Sequence, residues 1–146
     1  MLPYKNLKNL KIPKNREVYF ALGSIKPNKD KRMTENYIFS RNLLVSDIDM
    51  RDIPWNKLSK KEREDYITYL KNYILETLKD HNLEPHFVVF SGRGFHLYYR
   101  FQKMVLAKKD IKALLKDTQQ VLYKKIKEVL GFLPDENGNF REVQID

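Results

Sequence analysis

The sequence has no cysteine, only five glycines and six prolines, and a single tryptophan among its 146 residues. Without cysteine, neither a disulfide scaffold nor any thiolate zinc site can form. No apolar run approaches the ~20 residues of a membrane-crossing helix, and Met1 opens a polar, lysine-rich stretch. A soluble, cytoplasmic protein with no membrane partner is therefore expected. Acids are the scarcer charge, 19 Asp+Glu against 28 Lys+Arg, for a net charge of +9. What is present in quantity is a core: 42% of residues are apolar and 12% aromatic, a globular rather than a disordered composition. The length suits one domain.

The excess of base is uneven. Residues 5–32 carry nine bases against Glu17 and Asp30, and residues 103–128 carry eight lysines against three acids. Residues 47–84 hold nine acids against seven bases. Two basic blocks around an acid-rich middle suit a polyanion, because lysines that neutralise phosphates release condensed counterions. A solvated helix face gives the same count, so charge alone does not decide.

The pattern along the chain alternates between strand and helix. Residues 1–16 read as an irregular arm, 17–25 as a β-prone run and 26–36 as a loop. Leu43 to Asp49 reads as a strand that ends before Asp52 and Pro54. Ser59 and Glu62 have the spacing of a capping box, and behind them Tyr66, Ile67, Leu70, Tyr73, Ile74 and Leu78 recur at three and four residues, so a helix with one buried face is predicted, stopping at His81-Asn82. Phe87–Phe90 and Phe95–Phe101 read as strands around a Gly92-Arg93-Gly94 turn. A second helix is predicted over 108–130, burying Ile111, Leu114, Leu115, Val121, Leu122, Ile126 and Val129, with Gly131 as its stop signal. A turn at Asp135–Asn139 and a final strand Val143–Asp146 close the chain. The expected fold is α+β, with helices packed on a mainly antiparallel sheet. An end inside a predicted strand reads as the mark of a piece of a longer protein.

Three clusters bear chemistry. Alternation puts Asp47 and Asp49 on one strand face with Ile48 toward the core, and carboxylates so placed can hold hard divalent cations. Solvated aspartates at a strand end look the same in sequence. In Phe90-Ser91-Gly92-Arg93-Gly94-Phe95-His96, two glycines allow the backbone to approach a ligand and present its N–H groups, Arg93 can fork onto phosphate oxygens and Ser91 adds a hydroxyl. An ordinary hairpin with a charged tip is the plainer alternative. His96, Tyr98 and Arg100 share one strand face by alternation. His81 and His86, at a helix end and a strand start, read as surface or capping residues. Asp146 falls on the solvent side of the last strand.

Taken together, Val45-Ser46-Asp47-Ile48-Asp49, Ser91-Gly92-Arg93-Gly94-Phe95-His96 and Gln144-Ile145-Asp146 resemble, in order and spacing, the three motifs of the archaeo-eukaryotic primase superfamily, the primase-polymerases. The resemblance spans residues 43–146. The absence of cysteine is closer to its plasmid, viral, CRISPR-associated or minimal bacterial members than to the zinc-bearing cellular primases. It implies an RNA-recognition-motif-like sheet with helices packed on it, joined to a small N-terminal α/β unit, with 1–146 forming the catalytic domain. It also implies that Asp47, Asp49 and Asp146 hold two Mg²⁺ or Mn²⁺ ions, and that Ser91, Arg93 and His96 hold the triphosphate of an incoming nucleotide. The partners are then DNA template, primer and nucleoside triphosphates, with a helicase or other replication or CRISPR-associated domain expected in the full-length protein. Lys108, Lys109, Lys112 and Lys116, spaced along one helix side, and Arg32 and Arg41 are candidate nucleic-acid contacts. Two other readings fit the same residues. One is a non-catalytic nucleic-acid-binding domain with Tyr98 or Tyr99 stacking on bases, and the other is a metal-dependent nuclease.

Overall fold

The computed structural model describes residues 23–25, 38–106 and 108–146, with side chains described at 42–101, 108 and 111–146. The arm 1–16, residues 17–22 and the loop 26–36 of the sequence reading lie outside the described residues, as do Arg32 and the side chains of Arg41 and Lys109. The fold is α+β. Strands β1 (Gly23–Ile25), β2 (Ile38–Asp49), β3 (Phe87–Phe90) and β4 (Gly94–Leu106) form an antiparallel sheet in the order β1-β2-β4-β3, and the short β7 (Gln144–Ile145) also pairs with β2. Helices α1 (Lys60–Asp80) and α2 (Lys109–Leu130) complete this unit, and β5 (Phe132–Pro134) and β6 (Phe140–Glu142) form a separate hairpin. Among the described residues no helix is long and apolar enough to cross a membrane.

β2 shows the alternation that the sequence predicts. Leu44, Ser46 and Ile48 are buried at 3%, 0% and 0% exposure, while Val45, Asp47 and Asp49 look to the other face. The strand is longer than expected, starting at Ile38 rather than Leu43, because β1 and the far end of β4 pair with its first residues. The register shifts between Arg41 and Leu43, a bulge that periodicity cannot reveal.

α1 forms as its sequence requires. The Ser59 hydroxyl accepts from the Glu62 N–H at 3.3 Å and the Glu62 carboxylate accepts from the Ser59 N–H at 2.8 Å, closing the capping box. Tyr66, Leu70, Ile74 and Leu78 are its buried stripe. It ends in a Schellman motif, with Asn82 left-handed at φ 56° and the N–H groups of Asn82 and Leu83 donating to Lys79 and Leu78 carbonyls.

α2 departs from expectation. Ile126 and Leu130 join the core, and Leu122 and Val129 pack against it, but Leu114 and Val121 are 60% and 55% exposed. The residues of α2 that reach the core begin at Leu122, so Leu114 lies before that contact and Val121 about 100° round the helix from it. Gln119 donates to the Val45 carbonyl. Gly131 follows the helix in a right-handed conformation, φ −59°, rather than as a left-handed cap.

The β5–β6 hairpin is not predicted by the sequence pattern, which shows only its turn. Asp135, 4% exposed, builds that turn: its carboxylate accepts from the N–H groups of Asn137 and Asn139 and from Arg141 Nε. Burial alone would raise the Asp135 carboxyl, but these donors outweigh it and hold it below the ordinary carboxylate value. Tyr66 ties the hairpin to α1 by donating to the Pro134 carbonyl at 3.0 Å, and burial pushes its phenol up to about 12.

Candidate functional site

The registers of β2 with β4 and β7 assemble the candidate residues. Asp47 is directly opposite His96 on β4, and His96 Nε2 lies 3.5 Å from Asp47 Oδ1. On its other side Asp47 exchanges backbone hydrogen bonds with Asp146 at 2.7 and 2.9 Å. Residues so paired share a sheet face with their Cβ atoms about 5.5 Å apart, so Asp146, Asp47 and His96 form a row across three strands. Asp49 is two residues further along β2 on the same face. The buried Ser46 hydroxyl fastens the end of β7 by donating to the Asp146 carbonyl at 3.0 Å, and Gln144 Nε2 reaches the Asp146 carboxylate at 3.1 Å. The three acids and the histidine named from sequence are thus brought together, although Asp146 lies 99 positions beyond Asp47.

Their electrostatics differ. Burial, together with repulsion from Asp49 and Asp146, raises the Asp47 carboxyl above its ordinary value, against the pull of His96 and Arg51. Asp49 moves the other way. Its Oδ2 is paired with the Arg51 guanidinium, Nε at 2.6 Å, and its Oδ1 accepts the Arg51 N–H at 2.9 Å, which holds the carboxyl below its ordinary value. Sequence reasoning did not single out Arg51; the Asp-x-Arg spacing is its only signal. Among the described residues no three His, Asp or Glu side chains are already gathered into a metal-binding group. Asp49 faces Arg51 instead of its fellow acids. An Arg51→Ala protein should therefore show Asp49 titrating higher, nearer the ordinary carboxylate range. A carboxyl-carbon NMR titration tests this, and an unchanged midpoint would show that Arg51 does not control Asp49.

The Ser91–Gly94 hairpin corrects part of the sequence reading. Gly92, at φ +98°, takes the first central position of a two-residue loop, where a left-handed residue is required. Gly94 is needed for a different reason: a Cβ there would sit 1.9 Å from the Ile48 carbonyl oxygen. The close approach is to the backbone of β2, not to a ligand. Both the Ser91 N–H and its hydroxyl donate to the Gly94 carbonyl, at 2.9 and 3.2 Å, so Ser91 is engaged within the hairpin. The tip is pinned from two sides, by the Met50 N–H on the Arg93 carbonyl and by Arg63 on the Gly92 carbonyl. The Arg93 side chain is exposed at the tip and helps hold the Asp49 carboxyl down.

Of the remaining candidates, Lys108, the N-cap residue of α2, and Lys116 are exposed, and Lys112 is half-buried. His81 caps α1 through the Thr77 carbonyl, and His86 accepts the Arg100 N–H, as capping and surface roles predict. Neither Tyr98 nor Tyr99 is an exposed stacking ring. Tyr98 is 2% exposed, and Tyr99 is half-buried with its hydroxyl donating to the Leu83 carbonyl. No family model, no curated protein and no solved structure matches this chain.

Proposed function

We propose that this α+β domain is the catalytic core of a primase-polymerase, which joins nucleotides to a primer on a DNA template. The observation that carries the reading is the row Asp146–Asp47–His96 on one sheet face, beside Asp49 and the Arg93 hairpin. Nothing in the local sequence requires Asp146 to meet Asp47 and Asp49, which share one strand, and burial, with repulsion from Asp49 and Asp146, raises the carboxyl of Asp47. Among the described residues no cation site is already gathered, but the donor chemistry suits the metal of such an enzyme. Asp47, Asp49 and Asp146 offer only carboxylate oxygens, the preference of Mg²⁺ or Mn²⁺, with Asp49 released from Arg51. Bound there, the ions would neutralise charge on the transferred phosphoryl group and make the attacking 3′-hydroxyl more acidic.

The chain's own residues bind and position. The exposed Arg93 side chain at the pinned hairpin tip and His96 in the middle of the face hold the triphosphate, with the α-phosphate over the acids. The primer hydroxyl gives up its proton to solvent water and forms a bond to that phosphorus, the bond to the bridging oxygen breaks, and pyrophosphate leaves toward Arg93. Arg51, released from Asp49, becomes a further phosphate partner. The exposed Lys108 and Lys116 hold a template strand by its backbone.

A non-catalytic nucleic-acid-binding domain is the second reading, favoured by the Arg51–Asp49 pair, which occupies both oxygens of one acid. One incubation with template, labelled primer, nucleotides and Mn²⁺ separates the readings. Primer elongation is expected; shortening would make the protein a nuclease, and a mobility shift alone a binding domain. In the same assay His96→Ala should raise the half-saturating nucleotide concentration about tenfold, the scale of one hydrogen bond to a charged group, with a smaller change for template. Equal changes for both would remove His96 from the triphosphate site.

A further inference from the structure

On the sheet face that carries Asp47 and His96, the outermost strand is apolar. β3 is the edge strand, and its register sets Phe87 opposite Tyr98 and Val89 opposite His96. Val88 and Phe90 turn into the core, so Phe87 and Val89 take the other face, where they are 43% and 42% exposed. Phe87 is not a loose side chain. Its ring lies parallel to that of Tyr98, with centroids 4.7 Å apart and planes 15° from parallel. Tyr98 is itself buried at 2% exposure and meets the His96 ring edge-on at 6.3 Å. One face of Phe87 is therefore supported by a fixed ring, while the residue stays open to solvent.

Beyond His96 this face carries the Asp47 carboxylate, and at the other end of the shelf it carries a cation. Arg100 follows Tyr98 on the same face of β4 and is exposed. A flat aromatic surface bordered by an arginine matches a strand with flat bases and a charged backbone. An apolar peptide would gain nothing from the arginine, whereas a nucleic acid uses both the ring and the charge.

We infer that Phe87, backed by Tyr98, is a stacking platform for a base of single-stranded nucleic acid, with Arg100 holding a flanking phosphate. The inference rests on reading this face as the one that handles nucleic acid, and it places the single strand along β3 and β4, beside the carboxylates rather than over them. It also explains why the aromatic contact expected at Tyr98 or Tyr99 is absent from their own surfaces: Tyr98 acts from beneath, as the support.

The test is fluorescence anisotropy with a labelled oligothymidylate and an abasic oligomer of equal length, in EDTA and without nucleotide. The wild-type protein should bind the base-bearing oligomer more tightly than the abasic one. Phe87→Leu keeps an apolar cover on Tyr98 but no ring, and should lose about 5- to 100-fold on oligothymidylate with no change on the abasic oligomer. Phe87→Trp should restore the difference. Three results would overturn the inference: no binding of oligothymidylate by the wild-type protein, no preference for it over the abasic strand, or equal losses on both oligomers in Phe87→Leu. Because metal and nucleotide are absent, failure of the polymerase reading leaves this result standing. An Asp47→Asn protein that makes no product should still discriminate the two oligomers.

Discussion

Asp47→Asn and Asp49→Asn proteins are expected to fold and to incorporate no nucleotide. Each substitution removes a carboxylate from the row that would hold the cation. The fall in rate should exceed the roughly 10- to 100-fold seen when only an outer-shell partner of a metal ligand is lost. Folding should survive for a physical reason. In the folded protein burial, Asp49 and Asp146 all oppose ionisation of Asp47, so its charged form weakens the fold rather than supporting it. The sign follows from linkage. A carboxyl raised in the native state favours folding with its proton on, and that contribution is lost as pH rises through the raised value. Above that pH and without metal, Asp47→Asn should therefore melt at or above the wild-type temperature. With Mn²⁺ the order reverses, because a ligand that binds only the native state stabilises it and the variant has lost part of the site. Cation affinity of the wild-type protein should climb with pH through the Asp47 titration, since proton and cation compete for one carboxylate. In Asp47→Asn that climb should disappear. Thermal melts at two pH values, with and without Mn²⁺, together with primer extension, check every part. Undiminished synthesis by both variants would end the polymerase proposal.

The second large effect concerns stability. Gly94→Ala should destabilise the protein by at least ~3 kcal/mol, at the upper end of what overpacking costs, and lower its melting temperature by roughly 10 °C or more. The added methyl meets the Ile48 carbonyl oxygen at 1.9 Å, and that carbonyl belongs to a strand paired on both sides. It cannot retreat without opening the register that places Asp47 against His96. Gly92→Ala is the control. Its Cβ would meet nothing within 4 Å, and only the backbone at φ +98° objects, for about 1–2 kcal/mol. Urea denaturation of the two variants compares them directly, and a Gly92→Ala defect as large as that of Gly94→Ala would show that turn geometry, not strand contact, governs this segment.

Much of this was readable from residue order. Ser59 and Glu62 announce their helix because a capping box is a contact between residues three apart. Strand alternation places Ile48 inward and the two aspartates outward with no knowledge of partners, and the same logic puts Ile145 in and Asp146 out. The signals fail where the outcome depends on what lies across. Leu114 and Val121 belong to an apolar pattern, yet stay exposed: the residues that reach the core are Leu122, Tyr123, Ile126, Val129 and Leu130, so Leu114 lies before that contact and Val121 about 100° round the helix from Leu122. The β5–β6 hairpin has strands of three residues, too short for alternation to register, and it is held by Asp135 and Tyr66 from outside its own pattern. Gly94 looks like a ligand-approach glycine and is a strand-approach glycine. A sequence records that a side chain is missing, not which atom occupies its place.

Sequence alone determined most local conformations and the inward or outward facing of the residues along β2, β7 and α1. These depend on contacts a few residues apart, whose geometry the backbone dictates. Tertiary structure alone decided that Asp146 pairs with Asp47, that His96 faces the same acid and that Phe87 rests on Tyr98. Strand register sets these meetings, and register is chosen by burial on the opposite face of the sheet, where Ile48, Phe95, Leu97 and Ile145 pack together.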